Sequence, residues 1–113
     1  MAIRALASDY RDGAQPLMAP ELPTLIFKHS PSCGVSIRAH SQVSTFAKAH
    51  PDYPVIQLDV VRQRKLSQEI ASGLELVHES PQAILVVNGQ VAWSASHGGV
   101  TARAIEAAIE SVR

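Results

Sequence analysis

The sequence is poor in cysteine, in aromatic residues and in net charge. Cys33 is the one cysteine in 113 residues, so neither an internal disulfide nor a zinc site of several thiolates can form among them. Any sulfur chemistry is monothiol chemistry. Ten Lys and Arg balance ten Asp and Glu to a formal net charge of zero, which leaves no basic field to displace counterions from a phosphate backbone. Nucleic acid is not expected as a partner, and an acidic scaffold is equally disfavoured. Apolar runs such as Ala83 to Val87 fall far short of the roughly 20 residues that cross a bilayer. No transmembrane helix and no membrane partner are expected. Met1 to Tyr10 contain Arg4 and Asp9 but no continuous apolar stretch or small-residue cleavage site. They do not read as a secretory signal, and the expected compartment is the cytoplasm. Against these absences stand 46% hydrophobic and 18% charged residues, the composition of a globular core. Residues 1–113 are read as a single domain.

Periodicity and turn chemistry order the chain. Residues 1–23 carry Asp12, Gly13, Pro16, Pro20 and Pro23, which exclude a long helix and predict an irregular segment with at most a short strand near Ile3 to Leu6. Thr24 to Lys28 is a compact apolar run bounded by Pro23 and by Ser30-Pro31-Ser32, and it predicts a buried strand. Val35, Ala39, Val43, Phe46 and Ala47 then recur at helical spacing before Pro51 and Pro54. Val55 to Val60 predicts a second strand and Arg62 to Ser72 a second helix with Leu66, Ile70 and Leu74 on one face, stopped by Gly73. Ala83 to Val87 and Gln90 to Ala95 predict a hairpin turning at Asn88-Gly89, two residues that tolerate positive φ. Thr101 is a plausible N-cap for a last helix striped by Ile105, Ala108, Ile109 and Val112. A right-handed βαβ unit followed by a hairpin and a helix implies an α/β thioredoxin-like fold, a central mixed sheet flanked by helices.

In that arrangement Cys33 lies past a strand and at the entrance to a helix, where unpaired N–H groups and the helix dipole favour negative charge. A thiolate, the nucleophilic form, is favoured there. The alternative is a buried cysteine acting as a small hydrophobe; the strand-to-helix corner with Ser-Pro-Ser before it favours the reactive reading. Ser36 occupies the place of a resolving cysteine in a C-x-x-C pair and can donate a hydrogen bond to the thiolate, but cannot attack a mixed disulfide. Pro81 would sit beside Cys33 in this fold, which favours a cis Ser80–Pro81 bond over the plain trans loop, with a backbone edge open to an extended ligand. His29 can assist proton transfer or hold the loop. His78 and Glu79 either shape the rim or form a solvated turn. His97, Gly98, Gly99 and Thr101 either hold a ligand carboxylate on backbone N–H groups or only reverse the chain. His40 and His50 read as ordinary surface residues. No metal site is expected, since His29 and Cys33 leave a tetrahedral ion incomplete.

Phe27-Lys28-His29-Ser30, Cys33-x-x-Ser36, Leu66-Ser67-x-x-Ile70-Ala71, His78-Glu79-Ser80-Pro81-Gln82-Ala83 and Trp93-x-Ala95-Ser96-His97 span most of Thr24 to Thr101. In these stretches the chain resembles the YtxJ family of monothiol bacilliredoxins, small thioredoxin-like proteins of the bacillithiol system. The resemblance departs at Gly34, where the family commonly has Pro, and at Gly98-Gly99, where it tends to have a bulkier residue. It implies thiol–disulfide exchange in which Cys33, supported by Ser36, removes bacillithiol from S-bacillithiolated client proteins. It also implies a substrate site drawn from His29, Gly34, Ser80, Pro81, His97 and Gly98. Bacillithiol or another low-molecular-weight thiol serves as co-substrate, no cofactor is tightly bound, and a role in stress response follows. Cys33-Gly34-Val35-Ser36 also resembles the C-G-F-S site of monothiol glutaredoxins, which implies an iron–sulfur cluster carrier as the alternative. A non-catalytic thioredoxin-like binding protein is the third reading.

Overall fold

A computed structural model describes residues 3–5, 10, 12–31 and 33–112 of the chain. Leu6, at the end of the expected first strand, and Ser32, in the loop before Cys33, lie outside them. Five strands form one mixed sheet: β1 (Arg4–Ala5), β2 (Thr24–His29), β3 (Val55–Asp59), β4 (Gln82–Val87) and β5 (Gln90–Ser96). Their spatial order is β1-β3-β2-β4-β5. Strand β3 runs parallel to both β2 and β1, whereas β4 runs antiparallel to β2 and to β5. The helices are α1 (Gln15–Met18), α2 (Gly34–Ala49), α3 (Arg64–Gly73) and α4 (Ala102–Ser111), with a short 3-10 turn at His97–Gly99. This is the thioredoxin fold, and the helix between β2 and β3 is the crossover that makes those strands parallel.

Strand alternation divides the core in two. Leu25 and Phe27 of β2, with Ala83 and Leu85 of β4, pack against Val43 and Phe46 of α2 and Ile105 and Ile109 of α4. Ile26 of β2, with Ile84 and Val86 of β4, packs on the opposite face against Leu17 of α1 and Ile70 of α3. Fully burying each of the Val, Leu, Ile and Phe side chains in these sets contributes about 1.5–3 kcal/mol. The period of two therefore sends Lys28 toward α3 and His29 toward α2, a division on which the site depends.

Within residues 1–23, the segment expected to be irregular, the structure places the two-residue β1 against β3 and the single turn α1, with Pro16 in its first positions. The hairpin turns as expected, Asn88 and Gly89 having φ of 53° and 76°. Thr101 caps α4, its Oγ1 accepting from Ala104 N at 3.1 Å. Gly73 is the last residue of α3 but does not supply the positive φ, which belongs to Glu75 at 58°. A Cβ on Gly73 would meet the end of the flexible Met18 side chain, which would have to move aside. His40 and His50 are not free surface residues. The His40 ring lies 5.0 Å from that of His29, and His50 Nε2 meets Glu106 Oε2 at 3.0 Å.

Candidate functional site

Cys33 is the N-cap of α2 and is partly exposed. Its N–H donates to Ser30 O at 3.1 Å, closing the loop, and its carbonyl accepts from Ile37 N at 3.0 Å, starting the helix. The following N–H groups lie in the first turn of a 16-residue helix, the position at which such donors lack intrahelical partners and favour negative charge. Gly34 opens the helix beside Cys33, exposed and with space for a side chain, since a Cβ there would meet nothing within 4 Å.

The Ser80–Pro81 peptide bond is cis. Ser80 shares with Cys33, Ser30, Arg64 and His78 a cleft of about 510 Å³, completed by Val60 and Val61 from the end of β3. The Ser80 hydroxyl oxygen is enclosed and has no hydrogen-bond partner among the described residues. The carbonyl of Pro81 already accepts from His97 N at 3.0 Å, so the backbone edge expected to be open is partly used within the fold.

Ser36 departs from its expected contact. It is fully buried, and its Oγ accepts from Ser30 N at 2.8 Å while sharing a 2.9 Å hydrogen bond with His29 Nδ1. These two partners, rather than the Cys33 thiol, hold the hydroxyl. The spacing of three brings Ser36 near Cys33, but β2 ends with a histidine directed at the same turn, and a buried hydroxyl goes to the nearest complementary polar groups. His29 accordingly holds the loop. Its ring stacks on Phe27 at 5.5 Å. Burial lowers its pKa first and the neighbouring His40 second, while Asp59 and the bond to Ser36 act in the opposite direction.

His97 and Gly98 do not join the Cys33 cleft. They line a second hollow of about 340 Å³ on another flank, with Val35 and Arg38 of α2 and Thr101. His97 adopts a left-handed backbone, φ 53°, and its Nε2 pairs with Glu79 Oε2 at 3.0 Å. The pair ties the loop before β4 to the turn after β5.

Two cations at the site were not singled out from the sequence. Arg64, the first residue of α3, is exposed and lines the cleft. Lys28 is wholly buried beneath it. Lys28 Nζ donates to Ser67 O at 2.9 Å and faces His78 Nδ1 at 3.2 Å, and burial pushes its pKa down to about 8. The available signal was a lysine inside a strand otherwise written in buried residues. The His78 pKa is lowered by burial and then by Lys28 and Arg64, with Glu79 opposing. Among the described residues no group of three or more His, Cys, Asp or Glu side chains is placed to hold a metal ion. Nor is any described helix long and apolar enough to cross a membrane.

Residues 15–105 match the family model of the monothiol bacilliredoxin BrxC. The chain belongs to this family. A solved structure described as having a thioredoxin fold, and provisionally as an oxidoreductase, superimposes with a TM-score of 0.83 at 29% identity. It covers 96% of this chain and 94% of the other. Desulfothioredoxin from Desulfovibrio vulgaris Hildenborough in its reduced form gives 0.69 at 19%, covering 98% and 99% of the two chains. Mitochondrial thioredoxin 3 from Saccharomyces cerevisiae gives 0.66 at 22%, covering 96% and 94%. The two thioredoxins show the fold alone. Family and fold together make this bacilliredoxin a monothiol oxidoreductase of the thiol–disulfide exchange class, consistent with its single Cys33.

Proposed function

We propose that the chain removes bacillithiol from S-bacillithiolated proteins through Cys33. The observation that carries this reading is a lone, partly exposed cysteine at the start of α2, in a chain matching a monothiol bacilliredoxin over residues 15–105. The Cys33 thiolate attacks the bacillithiol sulfur of the mixed disulfide. A Cys33–bacillithiol bond forms, the client's bond to bacillithiol breaks, and the client sulfur leaves as a thiolate that takes a proton from solvent. No second cysteine exists in these 113 residues, so a low-molecular-weight thiol must attack the capped Cys33 to regenerate it.

The cleft supports this chemistry. Arg64 offers a guanidinium to a carboxylate-bearing thiol from the lining of the cleft that holds Cys33. Val61, 66% exposed on the same cleft, adds apolar contact for a client surface.

The test is to incubate the reduced protein with a bacillithiolated client and weigh both by mass spectrometry, with a glutathionylated client in parallel. The expected result is transfer of the bacillithiol mass to Cys33 and its loss from the client, faster than the glutathione reaction. A client that stays modified while Cys33 stays bare overturns the proposal. So does a Cys33-dependent visible absorption band after iron–sulfur reconstitution without any transfer activity, which would assign the chain to cluster carriage.

A further inference from the structure

A wholly buried ammonium ordinarily sits against a carboxylate, because a charge taken out of water and left unpaired is costly. Lys28 does not. Its contacts are Ser67 O and His78 Nδ1, and no carboxylate among the described residues forms an ion pair with it. An ammonium has only donors, so Nδ1 of His78 must accept, which places the ring proton on Nε2. The tautomer of His78 is thereby set by a residue fifty positions earlier in the chain. Ser67 Oγ, on α3, approaches the same ring nitrogen at 3.5 Å. A cation bonded to Nδ1 withdraws electron density from the ring and strengthens Nε2–H as a donor. His78 itself is exposed and lines the cleft that holds Cys33.

The geometry points to a role for this pair in exchange, with His78 donating a hydrogen bond to the departing sulfur and Lys28 positioning and polarising it. The assignment rests on the exchange reading above. When the Cys33 thiolate attacks, its electron pair makes the new S–S bond and the old S–S pair departs on the leaving sulfur. That sulfur accepts the Nε2–H bond while it carries negative charge, then takes its proton from solvent, and His78 ends in the tautomer in which it began. The donor matters most for a leaving thiolate that concentrates charge on sulfur, as an alkyl thiolate does, and least for an aryl thiolate that delocalises it.

The experiment compares rates of the reduced protein with an alkyl disulfide, hydroxyethyl disulfide, and an aryl one, dithiobis(nitrobenzoate). His78→Leu is expected to lower the alkyl-to-aryl rate ratio on the order of tenfold, less than loss of an oxyanion donor because sulfur is a weaker acceptor. His78→Gln, which keeps an N–H donor, is expected to restore the ratio to within about threefold of the wild type. Lys28→Met is expected to fall between them. A purely structural role would slow both disulfides alike and leave the ratio unchanged; that result in His78→Leu overturns the inference, whether or not Lys28→Met folds. A wild type inert toward both disulfides overturns the exchange reading and this inference together, whereas a reactive wild type with an unchanged ratio overturns this inference alone.

Discussion

Ser36 Oγ lies 2.9 Å from His29 Nδ1, a bond that fastens the first turn of α2 to the end of β2 across the loop carrying Cys33. The same oxygen accepts the N–H of Ser30 at 2.8 Å. The thiol is therefore positioned by a polar clasp behind the loop.

Breaking the clasp is a stability experiment first. Ser36→Ala leaves the Ser30 N–H and the His29 ring without their partner, so unfolding free energy should fall by roughly 1–3 kcal/mol. Exchange should slow without disappearing, because the loop remains but its geometry loosens. Cys33→Ser should abolish exchange while changing stability by less than about 1 kcal/mol. Denaturant melts alongside mass-resolved exchange rates check both halves.

Acid should weaken the fold through His29. The unfolded chain protonates this histidine near the ordinary value of about 6.5, whereas burial and His40 hold its folded pKa lower. Between the two values the unfolded state binds more protons, so stability is lost as pH falls below about 6.5. His29→Gln should flatten the dependence of the unfolding midpoint on pH across that window. An unchanged slope would show that the clasp histidine does not govern acid sensitivity.

Lys28 should act at the other end of the scale. Its folded pKa of about 8 lies below the ordinary 10.5, so the unfolded state carries the extra proton between them. Stability should rise with pH through that interval, by roughly 3 kcal/mol as an upper bound at 1.36 kcal/mol per unit. Lys28→Met should be more stable than the wild type at pH 7, by about 1–3 kcal/mol, because a buried unpaired charge is replaced by an apolar chain. It should also lose the alkaline rise. Thermal melts at several pH values decide this, and a destabilised Lys28→Met would show that the contacts of the ammonium outweigh its desolvation.

Arg64 should tell a charged thiol from an uncharged one. Because it is exposed, its ion pair with a ligand carboxylate is worth only about 0.2–1 kcal/mol. Arg64→Gln should therefore raise the half-saturating concentration of a carboxylate-bearing disulfide such as oxidised glutathione about threefold relative to hydroxyethyl disulfide. The difference should shrink in high salt. Equal effects on the two disulfides would remove Arg64 from ligand recognition.

The sequence by itself determined the order of elements from β2 to α4, and with it the fold, but not the single turn α1. Apolar spacing of two and of 3.6 residues marks strands and helices locally, and Asn88-Gly89 and Thr101 carry their turn and cap chemistry in one or two residues. The place of Cys33 at the head of α2 follows from the same local pattern, as does the lack of a resolving partner. Tertiary structure alone decided which polar groups meet. Ser36 has both Cys33 and His29 within reach along the chain, and the burial of its hydroxyl against β2 chose His29. Lys28 reads locally as the polar end of a strand, yet the pleat turns it inward, and its partners come from 39 and 50 residues away. His97 and Gly98 approach the cis-proline loop through His97 N and Pro81 O but open onto a different hollow from Cys33. Periodicity records whether a side chain faces the core, because neighbouring residues impose that. It does not record which distant side chain waits there, because that depends on how β2, α2 and α3 pack together in space.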